Sequence, residues 1–410
     1  MFRNKLKLHL YSLNRKLTEG IVSMKGDNMF CEKCGKELPE GSEFCSSCGA
    51  KIGSGSINTE YSSSEGVLKS AKEFGHMATD AATAFKTNVT GDIAEDNEER
   101  IDIHFRDLFS GVFRKHSEEE GEMLFICGTS TTTPKIEDVT KEWPKPWLFS
   151  RIFLYLLAAT LLLYFIIFMM GNNKAIPGYM FISAMMVPVA VMVFFFEVNI
   201  PRNISIFRVV KVFVIGGILS LIVTLLIGNF IYRDFNLIGS IGIGIAEETG
   251  KAIIIAAFLN RKDEHHYILN GLLIGAAVGA GFAAFESAGY IFNGFAQGIM
   301  NEVVIGRSLF AIGGHVIWCP ITGAAMCVAA GGNAISSKNL MTSSFLGAFI
   351  IPVLLHAAWD WQFLSNMFFI KDPALIVIAW IVALAYIRRG IKEVNRLSAE
   401  AYTSSHRTEE

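Results

Sequence analysis

From about residue 149 onward the chain repeats apolar runs of roughly 20 residues, the length an α-helix needs to cross the hydrocarbon core of a bilayer. Backbone polar groups find no water there, so each run must pair its own N–H and C=O groups by folding as a helix. Hydrophobic residues make up 51% of the 410 and charged residues only 18%, with a mean hydropathy of +0.40. A formal net charge of −2 gives no whole-chain attraction to nucleic acid. The chain reads as an all-α polytopic membrane protein of about eight transmembrane helices.

Eight spans are expected at 149–170, 176–198, 207–230, 238–259, 268–293, 308–330, 342–366 and 373–388. With the N-terminus inside, the inner flanks collect most of the cations, among them Arg151, Arg202, Arg208, Lys211, Arg261, Lys262, Arg388 and Arg389. The outer loops carry Lys174, Arg233, Arg307 and Lys371. That asymmetry follows the positive-inside rule and puts both termini in the cytoplasm. Residues 1–28 form a basic extension with no signal-peptide core, either an amphipathic surface segment or untranslated sequence ahead of Met29. A ribbon at 29–52, a linker and small cytoplasmic region at 53–148, the membrane domain at 149–390 and a cytoplasmic tail at 391–410 complete the expected organisation. Within the cytoplasmic region, 65–86 and Asp102–Arg114 have helical patterns, and Met123–Cys127 reads as a short strand.

Four of the apolar runs carry ionisable residues: Glu247, Glu248 and Lys251; Glu286; His315; His356 and Asp360. A charge at bilayer depth costs at least ~2.5 kcal/mol on insertion scales, so such residues line a cavity or pair with one another. Counting along the spans at about 1.5 Å per residue puts the carboxylates and imidazoles about 9–15 Å below the outer face. Glu197 and Asp234 fall near span ends, where a wetted charge is the simpler reading. Lys251 lies three and four residues from the two glutamates, so its ammonium can reach either carboxylate on one helix face. His356 and Asp360 are also four apart. Two carboxylates, two imidazoles and a cation can activate water or bind a divalent metal. A structural polar network, a transporter or a scaffold would bury the same residue types. A transporter should show internal duplication between halves, and none is visible.

At these residues the chain resembles the PrsW family of intramembrane proteases. Glu247–Glu248–Thr249–Gly250–Lys251 matches its Glu-Glu-x-x-Lys motif, Phe282 to Glu286 its Phe-x-x-x-Glu motif, His315 its lone histidine, and His356 to Asp360 its His-x-x-x-Asp motif. The resemblance covers roughly 148–390. It implies an endopeptidase that cuts a membrane-anchored protein near the outer face, in some bacteria an anti-sigma factor. The catalytic set it implies is Glu247, Glu248, Lys251, Glu286, His315, His356 and Asp360. In a metal-free version Glu247 or Glu248 activates water, while His356 and Asp360 stabilise the oxyanion. In a metal version Glu286, His315 and His356 are the ligands. The chain lacks a His-Glu-x-x-His zinc motif, which favours the metal-free version. Cys319, one turn after His315, reads as a packed hydrophobe rather than a soft ligand, and Trp359 and Trp361 read as interface anchors.

The N-terminal region carries a separate signal. Phe30–Cys31–Glu32–Lys33–Cys34–Gly35 and Phe44–Cys45–Ser46–Ser47–Cys48–Gly49 repeat one knuckle, and four thiolates at this spacing can close a tetrahedral zinc site. Two disulfides are the competing reading, disfavoured by the reducing compartment that the inside orientation implies. Cys31, Cys34, Cys45 and Cys48 are thus expected to hold a structural zinc in a small cytoplasmic ribbon. No basic or aromatic patch flanks the knuckles, so a protein partner is expected there rather than nucleic acid.

Overall fold

Every apolar run folds as a helix. The computed structural model describes residues 29–30, 37–38, 105–139, 142–228, 236–260, 266–363 and 368–407, divided between two units, Met1–Lys72 and Glu73–Glu410. In the first unit β1 (Met29–Phe30) and β2 (Glu37–Leu38) pair antiparallel, Met29 with Leu38 and Phe30 with Glu37, so in sequence they bracket Cys31 and Cys34. The four knuckle cysteines, the candidate helix at 65–86 and Asp234 lie outside the described residues.

The second unit contains α1 (Glu118–Phe125), α2 (Leu148–Phe168), α3 (Ile176–Val198), α4 (Ile206–Gly228, with a π-helical turn at Val212–Gly216), α5 (Leu237–Leu259) and α6 (Ile268–Ala296). It continues through α7 (Met300–Phe310), α8 (His315–Ala330), α9 (Ser343–Asp360) and α10 (Phe368–Arg407). Among the described residues seven helices are long and apolar enough to cross a membrane, with α7 and α8 counted as one. The eighth, α5, matches α3 at 23 residues but carries Glu247, Glu248 and Lys251 at its middle. Length alone qualifies α5; its charges set it apart.

Helix α6 is the spine of the bundle, buried continuously from Ile268 to Ala284 and packed by α3, α4, α7, α8 and α10. Its closest neighbour is α8, and the closeness depends on absent side chains. A Cβ added to Gly271 would overlap the carbonyl oxygen of Gly323, and one added to Gly279 that of His315. Without a hydrophobic driving force between helices in lipid, such small-residue contacts let backbones approach and gain dispersion. At the periphery α2 is mostly exposed, showing Leu154, Leu161, Leu162 and Phe165 outward, as a lipid-facing helix should.

Residues 105–139 and 142–147 are stitched onto one end of the bundle. Arg151 donates to the carbonyls of Val112 and Arg114 (3.2 and 3.3 Å), Arg202 to that of Leu124 (2.8 Å), and the Trp143 indole to that of Asp107 (3.1 Å). Burial pushes the Cys127 thiol above its ordinary pKa, which suits a packed side chain more than a nucleophile.

Four local expectations are corrected. The helix expected over Asp102–Arg114 is a short 3-10 segment, Phe105–Phe109, followed by turns. The strand expected at Met123–Cys127 is the end of α1, whose start is set by Ser117, accepting from the Glu120 N–H at 3.1 Å, with acids in the first turn. Glu197 is buried rather than wetted: its carboxylate accepts the N–H groups of Trp147, Leu148 and Phe149 (2.8–2.9 Å), capping the otherwise unsatisfied start of α2. The residues read as a tail continue α10 to Arg407. Ile391, Val394 and Ser398 on one face are buried, and Glu393 accepts the N–H of Ile268 at 2.8 Å.

Gly271→Leu should destabilise the protein by about 1–3 kcal/mol through overpacking, read as a lower melting temperature in detergent. Gly289→Ala, on the same helix with nothing within 4 Å of the added carbon, should leave stability unchanged or raise it.

Candidate active site

The site is assembled from α5, α6, α8 and α9 around one ammonium. Three- and four-residue spacings on α5 bring Lys251 Nζ to 2.9 Å from Glu248 Oε1 and 3.1 Å from Glu247 Oε2. The same Nζ lies 2.9 Å from His315 Nδ1 at the start of α8 and 4.0 Å from the centre of the Phe282 ring on α6. Lys251 has no exposed surface and Glu248 1%, so neither charge has water to replace its partners. An ammonium only donates, so His315 Nδ1 accepts from it and the ring proton sits on Nε2.

His356, on α9, approaches Glu248 from the other side. Its Nδ1 is 2.8 Å from Glu248 Oε1, and because a carboxylate only accepts, the Nδ1 proton is donated there. Its Nε2 faces Asp360 Oδ2 at 3.4 Å and Glu247 Oε2 at 3.7 Å. Trp318 flanks both imidazoles, its ring 5.0 Å from His315 and 4.9 Å from His356, which are themselves 5.1 Å apart. The two glutamates therefore differ. Glu248 is buried and holds both Lys251 and His356, whereas the Glu247 side chain keeps 18% of its surface.

On α6, Glu286 lies 3.4 Å from His315 Nε2 through Oε2, the oxygen that also pairs with Arg307 of α7. All seven residues singled out in the sequence thus meet in one linked network. Arg307 was missed because the charge count placed it in an outer loop; the signal was the helical run from Met300 that carries it toward His315. Trp318 was missed too, although it lies one turn from His315. Cys319 is fully buried, and Trp359 packs against Trp318 and Phe310 at 6.0 and 6.2 Å rather than standing alone at an interface.

Ligand atoms of Glu247, His315 and His356 fall within 4.8 Å of one another, which is close enough to hold a metal ion. This set has Glu247 where the sequence reading had Glu286, whose Oε2 is taken by Arg307. The hydrogen bonding, however, does not fit a dication. Lys251 already holds Glu247 and His315 Nδ1, and the remaining nitrogen of His315 carries its proton toward Glu286.

Residues 205–387 match the family described as PrsW family intramembrane metalloprotease, and residues 30–52 match a zinc-ribbon domain. The chain carries a PrsW-family domain. The match begins at the N-terminus of α4 and contains every residue of the site. The chain is 28% identical over 201 residues to protease PrsW of Halalkalibacterium halodurans, covering 47% of this chain and 88% of that one. Against protease PrsW of Clostridioides difficile it is 27% identical over 184 residues, covering 43% and 74%. These PrsW relatives support an intramembrane protease; no solved structure matches the chain.

Removing one partner of a buried ion pair leaves the other uncompensated, at roughly 3–5 kcal/mol. Lys251→Met should therefore lower the melting temperature in detergent far more than Glu247→Gln, whose side chain is part-exposed. Equal shifts would remove Lys251 from the centre of the network.

Proposed function

We propose that the chain is an intramembrane endopeptidase that hydrolyses a peptide bond of a membrane-anchored protein near the outer face of the membrane, with both termini cytoplasmic. The observation that carries this reading is the Lys251-centred network, which joins motif residues of four helices in one place. The PrsW relatives supply the reaction class, and an anti-sigma factor is the kind of substrate proposed.

Glu247 is the proposed general base, being the carboxylate with free surface and one Lys contact. It takes a proton from water as the water oxygen bonds to the carbonyl carbon of the substrate. His356, acting as the imidazolium held by Glu248 through Nδ1 and facing Asp360 through Nε2, donates from Nε2 to the oxyanion. Collapse of the intermediate breaks the C–N bond, and the proton on Glu247 passes to the leaving amine. The Lys251 ammonium, and not a metal, is the proposed positive charge beside the two carboxylates. In the ribbon, Cys31, Cys34, Cys45 and Cys48 are the proposed ligands of a structural zinc, and the module is proposed to contact a protein partner.

Purified protein in liposomes should cleave a single-span membrane protein, and Glu247→Gln should lower kcat by at least about 100-fold while the fold, followed by melting temperature, holds. Unchanged cleavage in that variant would overturn the assignment of the base. A chain with the four ribbon cysteines changed to Ser should contain no zinc and should keep cleaving in the presence of a chelator. Chelator-sensitive cleavage restored by zinc in that variant would overturn the metal-free route.

A further inference from the structure

Arg307 is a cation that neither the family motifs nor the reaction above uses. It sits on α7, the leg that ends at a break, Ala311–Gly313, just before His315 opens α8. From there its guanidinium reaches three side chains of α6. One Nη2 pairs with Glu286 Oε2, Nε donates to Ser287 Oγ at 3.1 Å, and the group lies 4.5 Å over the Tyr290 ring. Planar, forked donors suit such divided contacts in a way a lysine ammonium does not.

The oxygen that Arg307 holds is also the one that faces His315 Nε2 at 3.4 Å. His315 is thereby spanned: Lys251 donates into Nδ1 on one side, and the Glu286 carboxylate faces Nε2 on the other. Lys251 fixes which nitrogen carries the proton, and Glu286 fixes where the Nε2 edge of the ring points. A carboxylate released by Arg307 is free to rotate away from Nε2, and the ring then loses one of its two supports. A partner that orients the ring of a functional histidine commonly acts through such a carboxylate.

We propose that Arg307 is a positioning residue of the protease, holding the Glu286 carboxylate so that it fixes the orientation of the His315 ring. The proposal rests on the protease reading given above, but its structural half is measurable without cleavage. Nitrogen NMR of isotope-labelled histidine, with His315 assigned by its loss in His315→Gln, should show the Nε2–H tautomer in the wild type. The Nε2–H resonance should shift in Arg307→Met, as that proton loses its carboxylate partner, and return part of the way toward the wild-type position in Arg307→Lys. An Nε2–H signal unchanged in Arg307→Met overturns the proposal whether or not the protein cleaves anything.

Kinetics test the other half as a double-mutant cycle. Arg307→Met should lower kcat about 10–100-fold with KM within about twofold, and Arg307→Lys should recover part of the loss. In a Glu286→Gln background the same Arg307→Met change should cost less than about twofold, because the two act as a unit. Equal losses in both backgrounds, or a raised KM with kcat intact, would show Arg307 acting independently of Glu286 and overturn the proposal. Loss of wild-type cleavage altogether would count against the protease reading, leaving the NMR result to decide the role of Arg307.

Discussion

The membrane domain is organised around an ammonium that has no water. Lys251 is fully buried at the middle of α5, and its charge is tolerable only because Glu247, Glu248 and His315 converge on it at 2.9–3.1 Å. Two of these partners come from its own helix for free, through three- and four-residue spacing. The third must come from α8, and His356 from α9 must then approach the far side of Glu248. Helix packing and site chemistry are therefore one problem: the bundle must close to satisfy the charges, and the charges fix how it closes.

What permits the closure is the thinness of α6 along the side that faces α8. With no side chain at Gly271 and Gly279, the two backbones touch, and the carbonyl of His315 fits where a methyl group would stand. The break between α7 and α8 matters equally. A continuous helix would carry Arg307 and His315 on faces set by one helical period, whereas the interruption lets both reach α6, where they meet at the Glu286 carboxylate. Broken helices at membrane depth are tolerated where protein surrounds the freed backbone groups, and that is the setting of Ala311–Gly313.

Most of this was legible in the sequence because membrane helices announce themselves by length, and buried charges within them stand out against an apolar background. The spans, the seven site residues and their meeting in one place follow from those two signals. Arg307 escaped because a cation near a span end looks like a loop charge, and only the α7 backbone reveals where its side chain goes. Glu197 escaped for the matching reason: its partners are the backbone N–H groups of α2, which leave no trace in residue identities. The difference between Glu247 and Glu248 was also invisible, since adjacent identical residues differ only in what their helix face meets. In the 105–147 segment, local patterns were misread because α1 is fixed by a single Ser cap and first-turn acids rather than by an apolar stripe.

The measurement that bears most directly on the whole picture is the position of the cut. Mass spectrometry of both fragments of a single-span substrate, cleaved in liposomes by the purified protein, would locate the broken bond to the residue. A bond in the outer half of the substrate's span, level with Glu247 and His356, is the expected result. Cleavage in the inner half, or in a soluble segment away from the membrane, would contradict the assignment of the Lys251-centred network as the place where the peptide bond is hydrolysed.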